Sequence, residues 1–220
     1  MSLELNAYDA VIFDMDGVLI DSEPLWKIAM EEVFREVGSN LTKADFQKTV
    51  GLRIDEVVRF WHDHEGWTGT TPEKIEYDIV ERMRLLIRSH GKPLEGVPEM
   101  LQFLSEKKKK IGLATSSYAV LIEAVLEVLE LSHFFDFTHS AEHEAYGKPH
   151  PAVYLTTAEK LNVSPVRCLV IEDSLNGIIS AKAARMKVVC IPEKTHHIEP
   201  RLALADHRYE SMSELLKAVR

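Results

Sequence analysis

Residues 10–17 read Ala-Val-Ile-Phe-Asp-Met-Asp-Gly, a short β-branched run that stops abruptly in two carboxylates two residues apart and a glycine. Four apolar residues without alternation predict a buried strand, and the Asp-Met-Asp-Gly behind them predicts a turn at its carboxyl end. Further runs of this kind lie at 110–115 (KIGLAT), 167–171 (RCLVI), 187–191 (KVVCI) and around 134–138. Between them, 98–106, 119–131, 151–161 and 175–185 carry helical spacing, with Pro151 suited to a first helical position. Strand and helix alternate. The fold class is therefore α/β: a Rossmann-like, mostly parallel sheet with helices on both faces and ligand chemistry at the carboxyl ends of its strands.

One interval breaks this rhythm. The first strand ends near Asp14 and the next begins near Lys110, whereas a βαβ unit takes about 30 residues. The interval is helical in pattern at 25–37, at 43–48 behind Thr42-x-x-Asp45, at 54–64 and at 72–90. An inserted all-helical cap domain is expected at 24–92, bounded by Pro24 and Lys92-Pro93. It would lie over the catalytic end of the sheet, with 1–23 and 93–220 forming the α/β catalytic core.

Composition narrows the function. The chain has 220 residues, 45% of them apolar, enough for one large domain or a domain plus an insertion. Lys and Arg number 26 against 35 Asp and Glu, a net charge of −9. A broad nucleic-acid or anionic-membrane surface would need a local basic patch to overcome that repulsion. The one tight Lys run, 107–110, reads as a solvated helix end. Cys168 and Cys190 sit inside apolar runs with no CxxC partner, as buried thiols do. With no basic leader and no apolar window of 18 residues, a soluble cytoplasmic protein is expected.

A D-x-D-G string alone signals little more than an Asx turn. Its context changes that reading, because a second acidic pair, Glu172-Asp173, ends the run CLVI. If both strands share one sheet, Asp14, Asp16, Glu172 and Asp173 converge and raise each other's pKa unless cations neutralise them. Mg²⁺ suits such an all-oxygen set. Thr115-Ser116-Ser117 follows another strand and offers hydroxyls and turn N–H groups to a phosphoryl oxygen; Lys148, between Gly147 and Pro149, offers a point charge. Each also has a plain structural role open to it, as a helix N-cap or a loop residue.

Taken in order, FDMDG, LATSS, GKPHP and VIEDS resemble the four motifs of the haloacid dehalogenase-like hydrolase superfamily over almost the whole chain. The helical insert resembles the cap of its β-phosphoglucomutase-like subfamily. That resemblance implies Asp14 as nucleophile, Asp16 as general acid/base, Thr115 as phosphate ligand and Lys148 as the stabilising cation. Glu172 and Asp173 would be the metal pair, completing with Asp14 and Asp16 a Mg²⁺ site. Two aspartates in the first motif resemble phosphatases and phosphomutases, since dehalogenases and phosphonatases lack the second. Residues 51–55 (GLRID), Trp26 after Asp-Ser-Glu-Pro, and 183–186 (AARM) are similar to the bacterial 2-deoxyglucose-6-phosphate phosphatases or hexitol phosphatases of this subfamily. β-Phosphoglucomutases carry His where Trp26 stands, and many members carry Gly where Arg185 stands, a departure expected to affect packing alone.

The function this implies is a Mg²⁺-dependent phosphatase of hexose or hexitol 6-phosphates, such as 2-deoxyglucose 6-phosphate, acting through an aspartyl phosphate. A sugar phosphomutase is the alternative. An idle binding module is disfavoured because every motif residue is intact. Thr115, Ser116, Ser117, Arg53 and Trp26 are expected at the substrate. The partner is a small sugar phosphate, with neither nucleic acid nor membrane, and the chain is expected to be a monomer. The pairs His62/His64 and His196-His197 do not share a helical face and are expected to face solvent. Trp61 and Trp67 are read either as packing aromatics or as a sugar pocket. Ser174-Leu175-Asn176-Gly177 starts a helix towards the site, with Asn176 as a cap.

Overall fold

The structure, a computed structural model, describes residues 3–42, 44–49, 52–193 and 200–220. In chain order the elements are β1 (Ala10–Phe13), α1 (Glu23–Glu36), α2 (Ile54–Glu65), α3 (Pro72–His90), α4 (Val97–Glu106), β2 (Lys110–Thr115) and α5 (Ala119–Val128). They continue as β3 (Phe137–Ser140), α6 (Ala152–Lys160), β4 (Cys168–Glu172), α7 (Leu175–Ala183), β5 (Lys187–Cys190), β6 (His207–Arg208) and α8 (Met212–Val219). The strands form one sheet in the order β3-β2-β1-β4-β5-β6, and each pairing is parallel. The expected α/β class is thus observed.

β1 is central because it has no polar face to offer water. Ala10 pairs with Lys110 on one side and Cys168 on the other, and all four β1 residues are buried. The pleat sends Val11 and Phe13 into one apolar cluster and Ala10 and Ile12 into the other. The first cluster runs on without a break into the insert, reaching Phe34, Trp61, Ile79 and Met83. The second holds Val153, Tyr154 and Ile178 from α6 and α7. Both faces of the sheet are covered, as parallel sheets require.

The insert follows the same economy. Thr71 accepts a hydrogen bond from Lys74 N and Pro72 opens α3, whose Ile75, Ile79, Val80, Met83 and Ile87 line one buried stripe. Each such side chain contributes about 1.5–3 kcal/mol by burial. The chain enters and leaves this region at one seam, where Leu94 N donates to Leu19 O at 2.9 Å and Ile20 bridges Pro93.

Several expectations shift. Asp45–Thr49 is a 3₁₀ stretch rather than an α-helix. Pro151 is the residue before α6, and β3 begins only at Phe137. The Lys run follows α4 with Lys107, Lys108 and Lys110 exposed, as expected, and within it Lys109 Nζ donates to Tyr8 O at 2.6 Å and Lys110 Nζ meets Asp136 at 3.1 Å. Arg185, expected to affect packing alone, is exposed and adopts φ 64, so what it carries is backbone strain. His62 is half-buried against the Trp67 ring, while His64 is exposed; His196 and His197 lie outside the described residues. Trp61 and Trp67 are buried packing aromatics. Among the described residues no helix is long and apolar enough to cross a membrane.

Candidate active site

The carboxyl ends of β1, β2 and β4 open into a cavity of about 200 Å³ whose far wall is the insert. Every site residue expected from sequence lines it except Glu172. Asp14 leaves β1, and Gly17, at φ 71, turns the chain so tightly that a Cβ there would lie 2.1 Å from Asp173 Oδ2. Thr115 ends β2, its hydroxyl accepting from Ser117 N at 3.1 Å. Glu172 ends β4, and Ser174 caps α7 through Gly177 N.

Lys148 is the hub. Its Nζ donates to Asp14 Oδ1 at 2.7 Å, Glu172 Oε1 at 2.7 Å and Ala114 O at 3.0 Å. Burial works against the ammonium, but Asp14 and Glu172 outweigh it and raise its pKa. Asp14 is pushed up to about 7, first by burial and then by Glu172 and Asp16, with Lys148 pulling the other way. Burial, then Glu172 and Asp14, raise Asp173 well above the carboxylate range. Glu172 goes the other way: burial is outweighed by Lys148, Tyr154 and Ser174, and its pKa is lowered.

The four carboxylates expected to converge divide by role. Oxygens of Asp14, Glu172 and Asp173 lie within 4.8 Å of one another. Glu172, however, accepts five hydrogen bonds: from Lys148 and Tyr154 on Oε1, and from Asp173 N, Ser174 N and Ser174 Oγ on Oε2. A carboxylate has about four lone-pair directions, so Glu172 is saturated. Asp16 is bonded from both core and insert: Ser22 Oγ and Trp26 Nε1 (3.1 Å) donate to its Oδ1, and Ser117 Oγ donates to Oδ2 at 2.6 Å. A cation would therefore be held by Asp14 and Asp173, with the Glu172 charge behind them. The hard oxygen donors, the excess of acids over the single Lys and the room left by Gly17 all fit a small divalent ion.

Two residues here escape a reading of the sequence. Tyr154, fully buried, donates to Glu172 Oε1 at 2.7 Å and lays its ring 4.8 Å from Lys148 Nζ. Ser22 precedes α1, but its hydroxyl serves Asp16 rather than the helix end. A Ser before a proline-led helix was its only signal. Arg53 is not solvated: it precedes α2, and its guanidinium is forked onto Asp55.

A sheet of this order with carboxylates after its first and fourth strands and a helical insert after the first defines a class of α/β hydrolases. The chain belongs to the haloacid dehalogenase-like hydrolase family, which it matches over residues 11–191. It is 40% identical over 207 residues to hexitol phosphatase B of Escherichia coli (strain K12), covering 94% of this chain and 93% of that one. It is similar to a crystal structure of a putative β-phosphoglucomutase from Thermotoga maritima, with TM-score 0.77, 30% identity, and coverage of 96% and 100%. CbbY from Rhodobacter sphaeroides, crystallised with phosphate, shares the fold at TM-score 0.88 and 24% identity, over 96% and 99% of the two chains. The chain is an enzyme of this family, a phosphoric monoester hydrolase.

Proposed function

We propose that this chain is a Mg²⁺-dependent sugar phosphatase acting on hexose or hexitol 6-phosphates through an aspartyl phosphate. The observation that carries it is Lys148 bridging Asp14 and Glu172 beside a cavity that Asp16 also lines. Asp14 attacks phosphorus, and the bond to the sugar oxygen breaks. Asp16 gives that oxygen its proton, then takes one from the water that cleaves the acyl phosphate, releasing Asp14 and inorganic phosphate. Lys148 holds Asp14 in place, and its charge opposes repulsion between carboxylate and phosphate dianion. Thr115, Ser116 and Ser117 offer hydroxyls and N–H groups to the phosphoryl oxygens. Mg²⁺, held by Asp14 and Asp173, would supply further positive charge there.

Residues 24–92 act in this reading as a cap that excludes water and selects the leaving group. Similarity to a hexitol phosphatase supports a polyol phosphate as substrate. The alternative, a phosphomutase, is disfavoured by Trp26, whose N–H is committed to Asp16. Phosphate release from sorbitol 6-phosphate, mannitol 6-phosphate, 2-deoxyglucose 6-phosphate and β-glucose 1-phosphate, with Mg²⁺ and with EDTA, tests the reading. Release from the 6-phosphates that EDTA stops and Mg²⁺ restores is expected, as is its abolition in Asp14→Asn. Conversion of β-glucose 1-phosphate to glucose 6-phosphate without phosphate release would establish the mutase instead, and full turnover in Asp14→Asn would remove the covalent route.

A further inference from the structure

Gly147 stands immediately before the reactive Lys148, and its backbone does not need to be glycine. The glycines at positive φ are Gly17, Gly38, Gly66, Gly69 and Gly96; Gly147 is not among them. What excludes a side chain there is occupancy. A Cβ at Gly147 would lie 2.2 Å from Cδ and 2.8 Å from Cγ of Arg53, and the third nearest atom, at 3.5 Å, is again Arg53's. Arg53 comes from the helical insert. Its stem crosses to the core loop and rests on the bare backbone ahead of Lys148.

The stem cannot simply swing away, because its far end is fastened. Nε and Nη2 donate to the two oxygens of Asp55 at 3.0 and 3.2 Å, and Nη1 donates to the core carbonyl of Ala141 at 3.4 Å. Asp55 is itself buried in the first turn of α2. Of the other described side-chain links between insert and core, Trp26 to Asp16 joins α1 to the turn after β1, and Tyr118 to Glu76 and Arg88 to Glu127 join α3 to the start and the body of α5; none of them reaches the loop that carries Lys148. Arg53 alone among these ties the insert to the loop that carries Lys148.

We propose that Gly147 is the seat of the helical insert: the Arg53 stem occupies the volume a side chain at 147 would take, so that insert and Lys148 are held in one register. Both are then positioning residues. A displacement of about 1 Å between insert and core is enough to cost a reaction that needs both up to about a hundredfold. The kinetic consequence rests on the sugar-phosphatase reading above, whereas the contact itself does not.

A double-mutant cycle on Gly147→Ala and Arg53→Ala tests it. Gly147→Ala is expected to lower kcat/KM for sorbitol 6-phosphate about tenfold or more. Its effect on p-nitrophenyl phosphate, which needs few contacts with the insert, should be at least about fivefold smaller. In the Arg53→Ala background the same alanine should cost less than about threefold, because the clash is gone. Equal cost in both backgrounds would assign Gly147 to the Lys148 loop alone, and no cost in either would remove the seat; both overturn the proposal. Hydrogen exchange on Arg53→Ala needs neither a folded Gly147 variant nor a known substrate. Faster exchange across 141–147 is expected, and unchanged protection overturns the contact. A protein inactive on every hexitol phosphate would defeat the functional reading while leaving this second arm to decide the seat.

Discussion

Replacing Lys148 with methionine keeps the length of the stem and removes the charge. Two unit charges 2.7 Å apart, as Lys148 is from both Asp14 and Glu172, attract by about 6 kcal/mol at an effective dielectric of about 20. Most of that attraction is offset by the cost of burying the three ions, so the relevant quantity is what happens when one partner leaves. Asp14 and Glu172 then stay buried with no cation, and breaking a buried pair in this way costs about 3–5 kcal/mol. For Lys148→Met we expect that loss in urea unfolding with EDTA present. We also expect a fall in kcat of about a thousandfold or more, because one missing electrostatic donor already costs about 10²–10³ and this one serves nucleophile and phosphate together. Adding Glu172→Gln should restore part of the stability by removing one stranded charge, and none of the activity. A variant within tenfold of the parent in kcat, or with an unchanged urea midpoint, would refute Lys148 as the hub.

Asp16→Ala should lower kcat/KM for hexitol 6-phosphates by about 10²–10⁴-fold, the usual worth of a general acid. p-Nitrophenyl phosphate, whose leaving group needs no proton, should lose much less; equal losses would argue against the acid role. Asp206, held by Lys182, Lys187 and Val188 N against the effect of burial, has its pKa lowered to about 2. A lowered folded-state pKa means its stabilisation is present above about pH 4 and lost as the pH falls towards 2. Asp206→Asn should therefore cost about 1 kcal/mol at pH 7, and the gap in thermal midpoint should close by pH 2; a gap independent of pH would contradict this. Arg185→Gly should relieve the left-handed backbone and stabilise the chain by about 0.5–1 kcal/mol, read as a rise in midpoint, and a fall would count against strain there. Burial pushes the Cys168 and Cys190 thiols up to about 12, so a disulfide reagent should label neither until the chain is unfolded.

The parts of this site that sequence makes legible are those that local chemistry enforces. An apolar run without alternation has to be buried on both faces, and carboxylates directly behind two such runs have to meet when the strands share a sheet. Thr115 and Ser117 follow from a strand end in the same way, whereas Lys148, in the loop ahead of α6, is legible only from its place between Gly147 and Pro149 and from the resemblance of GKPHP to a family motif. Tyr154 does not, because inside α6 its aromatic ring satisfies the core spacing and the partner of its hydroxyl, Glu172, comes from another strand. The saturation of Glu172 is equally a tertiary fact: it depends on three backbone and side-chain groups of its own turn as well as on Lys148 and Tyr154. The two-residue β6 carries no period at all, and Asp45–Thr49 is too short for its spacing to separate 3₁₀ from α.

β1 occupies the middle of the sheet and comes before the other five described strands in the chain. Its neighbours begin at Lys110 and Cys168, so on the ribosome Ala-Val-Ile-Phe has both edges open until β2 emerges and one edge open until β4 does. An apolar segment with open edges is a template for association with other nascent chains, and natural sequences guard such segments with flanking charge. Asp9 stands directly before this strand, and Asp14 and Asp16 directly after it. Their eventual partners arrive late: Arg167 bonds both oxygens of Asp9, and Lys148 bonds Asp14. The charge beside the young strand is neutralised only by residues that come with its protection, so on these grounds Asp14 would serve as a gatekeeper of the growing chain before it has any part in the site.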